Sequence, residues 1–166
     1  MQNTSPTYRE RLAPSLWMLV AAAVVAPMAA LVFAPFDGTL ALGAGVIVAA
    51  VLLALLIGLS PVVAVDGTTL RVGRAHINAR WLGVPTALEG EEARLARTTH
   101  LDVRAWLLIR GGIEGLVIVP NTDPDDPATA WYVSSRTPER LAAAIEAARY
   151  AAQSTQTKPA ADSSAT

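Results

Sequence analysis

The residues that could carry chemistry are few and far apart. His76 and His100 are the only histidines, and the chain contains no cysteine. Neither histidine has a neighbouring ligand at the spacing of a His-x-x-x-His motif. A serine nucleophile needs a positioned base, and Ser134 and Ser135 lie in no nucleophile motif. We therefore expect no catalytic residue, no cofactor and no metal site.

A second candidate is the acidic loop that contains Asn121, Asp123 and Asp125 at alternate positions. Alternating oxygen ligands begin a calcium loop, which also needs Gly at its sixth position and Glu at its twelfth. Asp126 and Tyr132 stand at those two positions. Because Asp and Pro form turns without a metal, we interpret this segment as an ordinary loop.

Three arginines, Arg71, Arg74 and Arg80, are candidates for contact with lipid headgroups. Each cation near an anionic membrane surface contributes about 1 kcal/mol of attraction. The alternative is ordinary surface charge that sets membrane topology. Three glutamates between residues 89 and 92 follow closely, and no cluster of four cations appears, which favours the alternative.

Three tryptophans, Trp81, Trp106 and Trp131, fall in or beside predicted strands, where core packing is the default role and ligand stacking the alternative. The net charge is −1, so no basic excess points to nucleic acid. The sequence also contains no phosphate-binding loop and no dinucleotide fingerprint.

The dominant elements are two apolar runs that contain no Asp, Glu, Lys or Arg, Leu12–Phe36 and Gly38–Val65. We predict spans over Leu16–Phe36 and Thr39–Leu59, each long enough to cross a hydrocarbon core of about 30 Å. A pair of buried helices in a soluble core would keep a polar stripe, which these runs lack. The first run also exceeds the apolar region of a signal peptide. The sequence therefore predicts a membrane hairpin.

The positive charges indicate its orientation. Arg9 and Arg11 precede the first span and further arginines follow the second, whereas the hinge carries only Asp37. The positive-inside rule then places both termini in the cytoplasm, at the cell membrane. Trp17 suits an anchor at the cytoplasmic interface.

Small residues recur at every fourth position in both spans. They are Ala22, Ala26 and Ala30 in the first span and Ala41, Gly45 and Ala49 in the second. Such faces let helix backbones approach closely in lipid. In an alanine-rich chain the spacing also arises by chance, but we predict that the two faces meet within the hairpin.

Short strand patterns follow the second span. They cover Val62–Val65, Thr69–Gly73, Ala75–Arg80, Val84–Leu88, Ala105–Arg110, Gly115–Pro120 and Ala130–Ser135. Asp66-Gly67 predicts a tight turn between the first two strands, and Gly111-Gly112 predicts a hairpin between the fifth and sixth. The segment from Glu89 to Arg97 is either a helical turn or a loop.

A final helix begins near Thr137, a suitable N-cap, with Pro138 in its first turn. Its apolar face would comprise Leu141, Ala144, Ile145 and Ala148. Seven short strands closed by one helix predict a small α+β domain, an antiparallel sheet or barrel in a pleckstrin-homology-like arrangement. The predicted divisions are an N-terminal segment (1–11), the hairpin (12–61), the domain (62–152) and a disordered tail (153–166).

Five segments together resemble a family of actinobacterial integral membrane proteins, the domain of unknown function 3093. They are Tyr8–Leu12, Leu70–Ala75, Asp102–Trp106, Asp123–Pro127 and Trp131–Pro138. The resemblance runs from about Tyr8 to Ala148. It implies two membrane spans and a cytosolic domain, and it carries over no catalytic residue.

We therefore expect a non-enzymatic interaction module that is anchored in the lipid bilayer and binds a protein partner of unknown identity. A lipid-binding or small-ligand-binding accessory protein is the alternative. Ion transport is disfavoured because transport normally leaves ionisable groups inside the bilayer.

Overall fold

A computed structural model describes residues 7–99 and 101–156. These residues form two compact units. One unit is Ala13–Ser60, and the other combines the chain before it with the chain from Pro61 onward. His100 and the tail beyond Gln156 lie outside the described residues.

The first unit is a helical hairpin of α1 (Leu16–Phe33) and α2 (Gly38–Gly58). Both helices are long and apolar enough to cross a membrane, by length and composition. The helix α1 ends at Phe33, three residues before the predicted end, since Pro35 lies in the turn that follows. Asp37 caps α2 by accepting hydrogen bonds from the backbone N–H groups of Thr39 (2.7 Å) and Leu40 (3.0 Å).

The second unit contains two sheets of four strands. The first sheet has the strands β1 (Tyr8–Arg11), β2 (Val62–Asp66), β3 (Thr69–Val72) and β4 (Ala75–Asn78), paired antiparallel in that order. The predicted turn after Asp66 is confirmed, and Gly67 supplies its positive φ of 57°.

The strand β1 corrects the sequence analysis, which assigned Tyr8–Arg11 to a separate segment leading into the first helix. This stretch instead pairs with β2, and the Leu12 N–H donates to the Pro61 carbonyl at 2.9 Å. The hairpin is therefore inserted between two neighbouring strands of one sheet. Four residues with two charged arginines give little local strand signal, so the pairing with β2 decides their conformation.

The second sheet has the strands β5 (Thr86–Leu88), β6 (Trp106–Leu108), β7 (Leu116–Pro120) and β8 (Ala130–Ser134), in the spatial order β5-β7-β8-β6. The predicted hairpin around Gly111-Gly112 is wrong, because β6 pairs parallel with β8 and β7 pairs antiparallel with β8. The Trp106 ring stacks on the Trp131 ring at 4.5 Å, a contact that the parallel register brings about.

Two helices complete the unit. The ambiguous segment after Glu89 forms α3 (Gly90–Thr98), and the predicted final helix is α4 (Pro138–Gln156). The predicted apolar face of α4 is confirmed: Leu141 and Ile145 are fully buried. They join a core cluster with Val65 of the first sheet and Val133 of the second. The unit is therefore an α+β domain, and α4 extends four residues past the predicted boundary at Ala152.

Candidate functional site

One carboxylate collects hydrogen bonds from distant parts of the chain. Glu10 on β1 accepts from the Tyr8 hydroxyl (2.6 Å), the Ser135 hydroxyl (2.6 Å) and the Arg136 backbone N–H (2.8 Å). The Tyr8 hydroxyl also lies 3.0 Å from Thr137 Oγ1. We call these five residues the Glu10 cluster. It joins β1 to the junction between β8 and α4.

The cluster is held by charge and burial. Ser135 is completely buried, and its hydroxyl also accepts from the Thr137 N–H at 3.1 Å. Burial raises the pKa of the Tyr8 hydroxyl above its ordinary value, and its hydrogen bond to Glu10 raises it further. The serine hydroxyl donates to a carboxylate that also accepts from two other donors. This network connects β1 to the β8–α4 junction, so we interpret Ser135 as a structural residue.

A row of basic side chains crosses the outer face of the first sheet. In the strand register Arg9 lies opposite Ala64, Ala64 opposite Arg71, and Arg71 opposite His76. Arg9, Arg71 and His76 are exposed. Arg74 is exposed in the turn that joins β3 to β4. We call Arg9, Arg71, Arg74 and His76 the basic face.

Two shallow depressions adjoin this face, and Arg9 lines both. One, of about 260 Å³, lies among Arg9, Arg71 and Asp66. The other, of about 340 Å³, lies between β1 and the start of α4, where Arg9 is joined by Arg136 and Arg140. Both depressions are open and carry a surplus of positive charge, which favours an anionic ligand over an apolar one.

The structure separates the three arginines that the sequence grouped together. Arg71 and Arg74 belong to the basic face, and the Arg71 Nε atom lies 3.6 Å from the Asp66 carboxylate. Arg80 lies in a short 3₁₀ turn after β4, with its guanidinium 4.9 Å from the centre of the Trp81 ring. Arg80 therefore stacks on an aromatic ring outside the row.

The structure brings small residues of the two apolar helices together. A Cβ atom placed on Gly45 would lie 3.0 Å from the Ala30 Cβ and 3.2 Å from the Ala26 carbonyl oxygen. Ala41 and Gly45 are the buried residues of α2. Of the six small residues that we predicted to pack between the helices, Ala22 and Ala49 are half-buried.

Three side chains of the acidic loop, those of Asn121, Asp123 and Asp126, form hydrogen bonds within that loop. The Asn121 and Asp123 side chains accept backbone N–H groups two residues ahead, and the Asp126 carboxylate accepts from the Ala128 N–H and the Asn121 side-chain amide. His76 is exposed on β4, whereas His100 lies outside the described residues. Among the described residues, no group of three or more His, Asp or Glu side chains could hold a metal ion.

Sequence reasoning missed Arg9, Glu10 and Ser135 as parts of a site. The one local sign of a strand there is the alternation of Tyr8–Arg11, in which odd and even positions face opposite sides. A strand reading would have separated Tyr8 and Glu10 from the two arginines. It would not have found Ser135, which lies 125 residues from Glu10 in the sequence.

The fold and its polar surfaces define an α+β domain with two apolar helices inserted between its first two strands. The chain belongs to a family described as Protein of unknown function (DUF3093), whose profile matches residues 7–145. The match includes both the hairpin and most of the domain. No curated protein matches the chain, and no solved structure matches it either.

Proposed function

We propose that this protein is a membrane-anchored, non-enzymatic interaction module. Its hairpin would cross the cell membrane twice and hold the α+β domain at the cytoplasmic face. The observation that carries the proposal is the insertion of two exposed, apolar helices between the paired strands β1 and β2. Both ends of the hairpin are thereby connected to one sheet, so the domain is tethered twice.

The exposed apolar surface of the hairpin supports insertion into lipid. Its two helices expose large apolar side chains such as Leu16 (80%), Leu31 (69%) and Leu42 (70%), which water would solvate poorly. The arginines Arg9 and Arg11 before the hairpin, and those after it, favour a cytoplasmic domain by the positive-inside rule. Two four-stranded sheets and a terminal helix also support a pleckstrin-homology-like arrangement for this domain.

The edge of the second sheet favours a protein partner. The strand β6 is last in the order of its sheet, and Leu107 on it is 42% exposed. Val103 (96%) and Ile109 (40%), on either side of β6, are exposed as well. An exposed apolar edge strand can receive a strand from another protein, so we propose this edge as the partner-binding surface.

A lipid-binding or small-ligand-binding accessory protein is the second candidate. The basic face and the two depressions that Arg9 lines favour it. The two candidates use different surfaces of the domain, so they can be tested separately.

Because the chain contains no cysteine, single cysteines can test the topology. We expect Phe36→Cys, in the hinge, to react with an impermeant thiol reagent on intact cells. Ala147→Cys, exposed on α4, should react only after permeabilisation. Release of the chain by alkaline carbonate, or equal labelling of both sites on intact cells, would contradict the proposal.

The partner-binding surface can be tested by purification from native membranes in mild detergent. A stoichiometric protein companion should be lost from Leu107→Asp and kept by Val84→Asp, a matched change at another exposed apolar side chain (62%). A companion that both variants retain would exclude the β6 edge. A retained lipid with no protein companion would favour the second candidate.

A further inference from the structure

The basic face is a single outward surface of the first sheet. Its strand residues alternate with Tyr8, Leu70 and Ile77, which pack into the core on the other side of the sheet. Arg9 and Arg71 are separated by one intervening strand, which places their backbones about 10 Å apart. Between them lies Ala64, whose small side chain is buried.

The charge of this surface is predominantly positive. Arg9, Arg71 and Arg74 are exposed, and Asp66 is the single acidic residue among the outward-facing residues of the four strands. Asp66 lies 3.6 Å from Arg71, whose side chain remains 65% exposed. An exposed pair of this kind is weak, so it leaves Arg71 able to attract a second anion.

Two strands of the first sheet, β1 and β2, connect directly to the apolar helices. The register row of Arg11 and Val62 is the last before the chain leaves the sheet for the apolar helices. The row of Arg9 and Arg71 is two residues further along the strands, or about 7 Å at 3.4 Å per residue. Residues 12–15 separate Arg11 from the start of α1, and residues 59–61 separate the end of α2 from Val62. The turn that carries Arg74 is bonded to the same row, since the Gly73 N–H donates to the Val62 carbonyl at 2.8 Å.

We propose that the basic face binds the anionic phospholipid headgroups of the bilayer that α1 and α2 cross. This inference rests on the proposed membrane anchoring and adds the surface and lipid class to it. Because two chain connections would join the domain to the membrane-spanning helices, binding of the basic face to the leaflet loses little translational entropy. The result is a domain held against anionic lipid by charge and released from neutral lipid.

The test uses the full chain in nanodiscs of phosphatidylcholine, alone or mixed with phosphatidylglycerol. A fluorophore on Thr69→Cys, on the outward side of β3, reports quenching by a headgroup-labelled lipid. We expect strong quenching only in the mixed discs, and its loss near 1 M salt, where the Debye length is about 3 Å. A fluorophore on Ala147→Cys serves as the reference position on α4.

The matched variants carry the same number of neutralised arginines. Arg9→Gln, Arg71→Gln and Arg74→Gln should each lower the ratio of docked to undocked domain about fivefold, and about a hundredfold together. A triple Lys replacement at these positions should retain docking, because charge rather than hydrogen-bond geometry drives it. The control removes the same charge elsewhere, with glutamine at the exposed arginines 80, 94 and 104, which lie outside the basic face and its two depressions, and should dock as the parent does.

The possible outcomes distinguish headgroup binding by the basic face from the membrane anchoring on which it rests. A chain that fails to enter the discs contradicts the membrane anchoring itself. A chain that enters them but shows quenching independent of phosphatidylglycerol, salt and the three arginines overturns only the headgroup inference. Should the glutamine triple variant unfold, the lysine variant and the salt dependence still decide the question. Docking lost equally in the control variant would also overturn the assignment of this face.

Discussion

The Glu10 cluster gives the sharpest prediction about stability. Replacing Glu10 by Ala removes three hydrogen bonds of 2.6–2.8 Å to a carboxylate. Such bonds contribute about 1.5–3 kcal/mol each when buried, but Glu10 is only half-buried. Ser135 also keeps its contacts with Tyr8 (3.2 Å) and Thr137 (3.1 Å). We therefore expect a loss of about 2–3 kcal/mol in the free energy of unfolding, well below the sum of three bonds.

The milder variant Glu10→Gln keeps one acceptor oxygen and loses the charge, so we expect about 1–2 kcal/mol. The assay is urea unfolding of the full chain in mild detergent, with the folded fraction monitored by near-ultraviolet circular dichroism. The stacked rings of Trp106 and Trp131 contribute to this circular dichroism signal and report on the packing of the second sheet.

Controls for this experiment use the same residue types. Glu92→Ala, at an exposed position in α3, should change the free energy of unfolding by less than about 0.5 kcal/mol. The double variant with Ser135→Ala should show a coupling energy of about 1 kcal/mol with Glu10→Ala, because the two side chains share a bond. A loss below about 0.5 kcal/mol for Glu10→Ala would refute the reasoning that this carboxylate fastens β1 to the β8–α4 junction.

Two further predictions concern the hairpin and the pH dependence of stability. Gly45→Leu should weaken the packing of α1 against α2, because a Cβ atom on residue 45 would lie 3.0 Å from the Ala30 Cβ. Gly43→Leu should leave the packing unchanged, because a Cβ atom there would meet nothing within 4 Å. The measurement is disulfide cross-linking between cysteines introduced on the two helices. Burial and Glu10 raise the pKa of Tyr8 in the folded state, so stability should fall as pH rises from about 10 through that higher value. Tyr8→Phe should flatten this part of the melting-temperature profile; an identical slope in both proteins would disprove it.

The sequence alone identified the elements whose signals are local. Two uncharged runs, the Asp66-Gly67 turn and the helix that starts at Pro138 each depend on residues close together in the chain. Helical periodicity, turn chemistry and capping act within a few residues, so a linear reading finds them.

Tertiary structure alone decided which strands pair and which side chains meet. The strand β1 has little signal of its own and takes its conformation from β2, more than fifty residues later. The segments around Gly111-Gly112 look like a hairpin locally, yet both pair with β8, because the Trp106–Trp131 contact and the core are non-local. The Glu10 cluster and the basic face follow from those pairings. Their residues have no fixed spacing in the sequence, since strand register sets their distances.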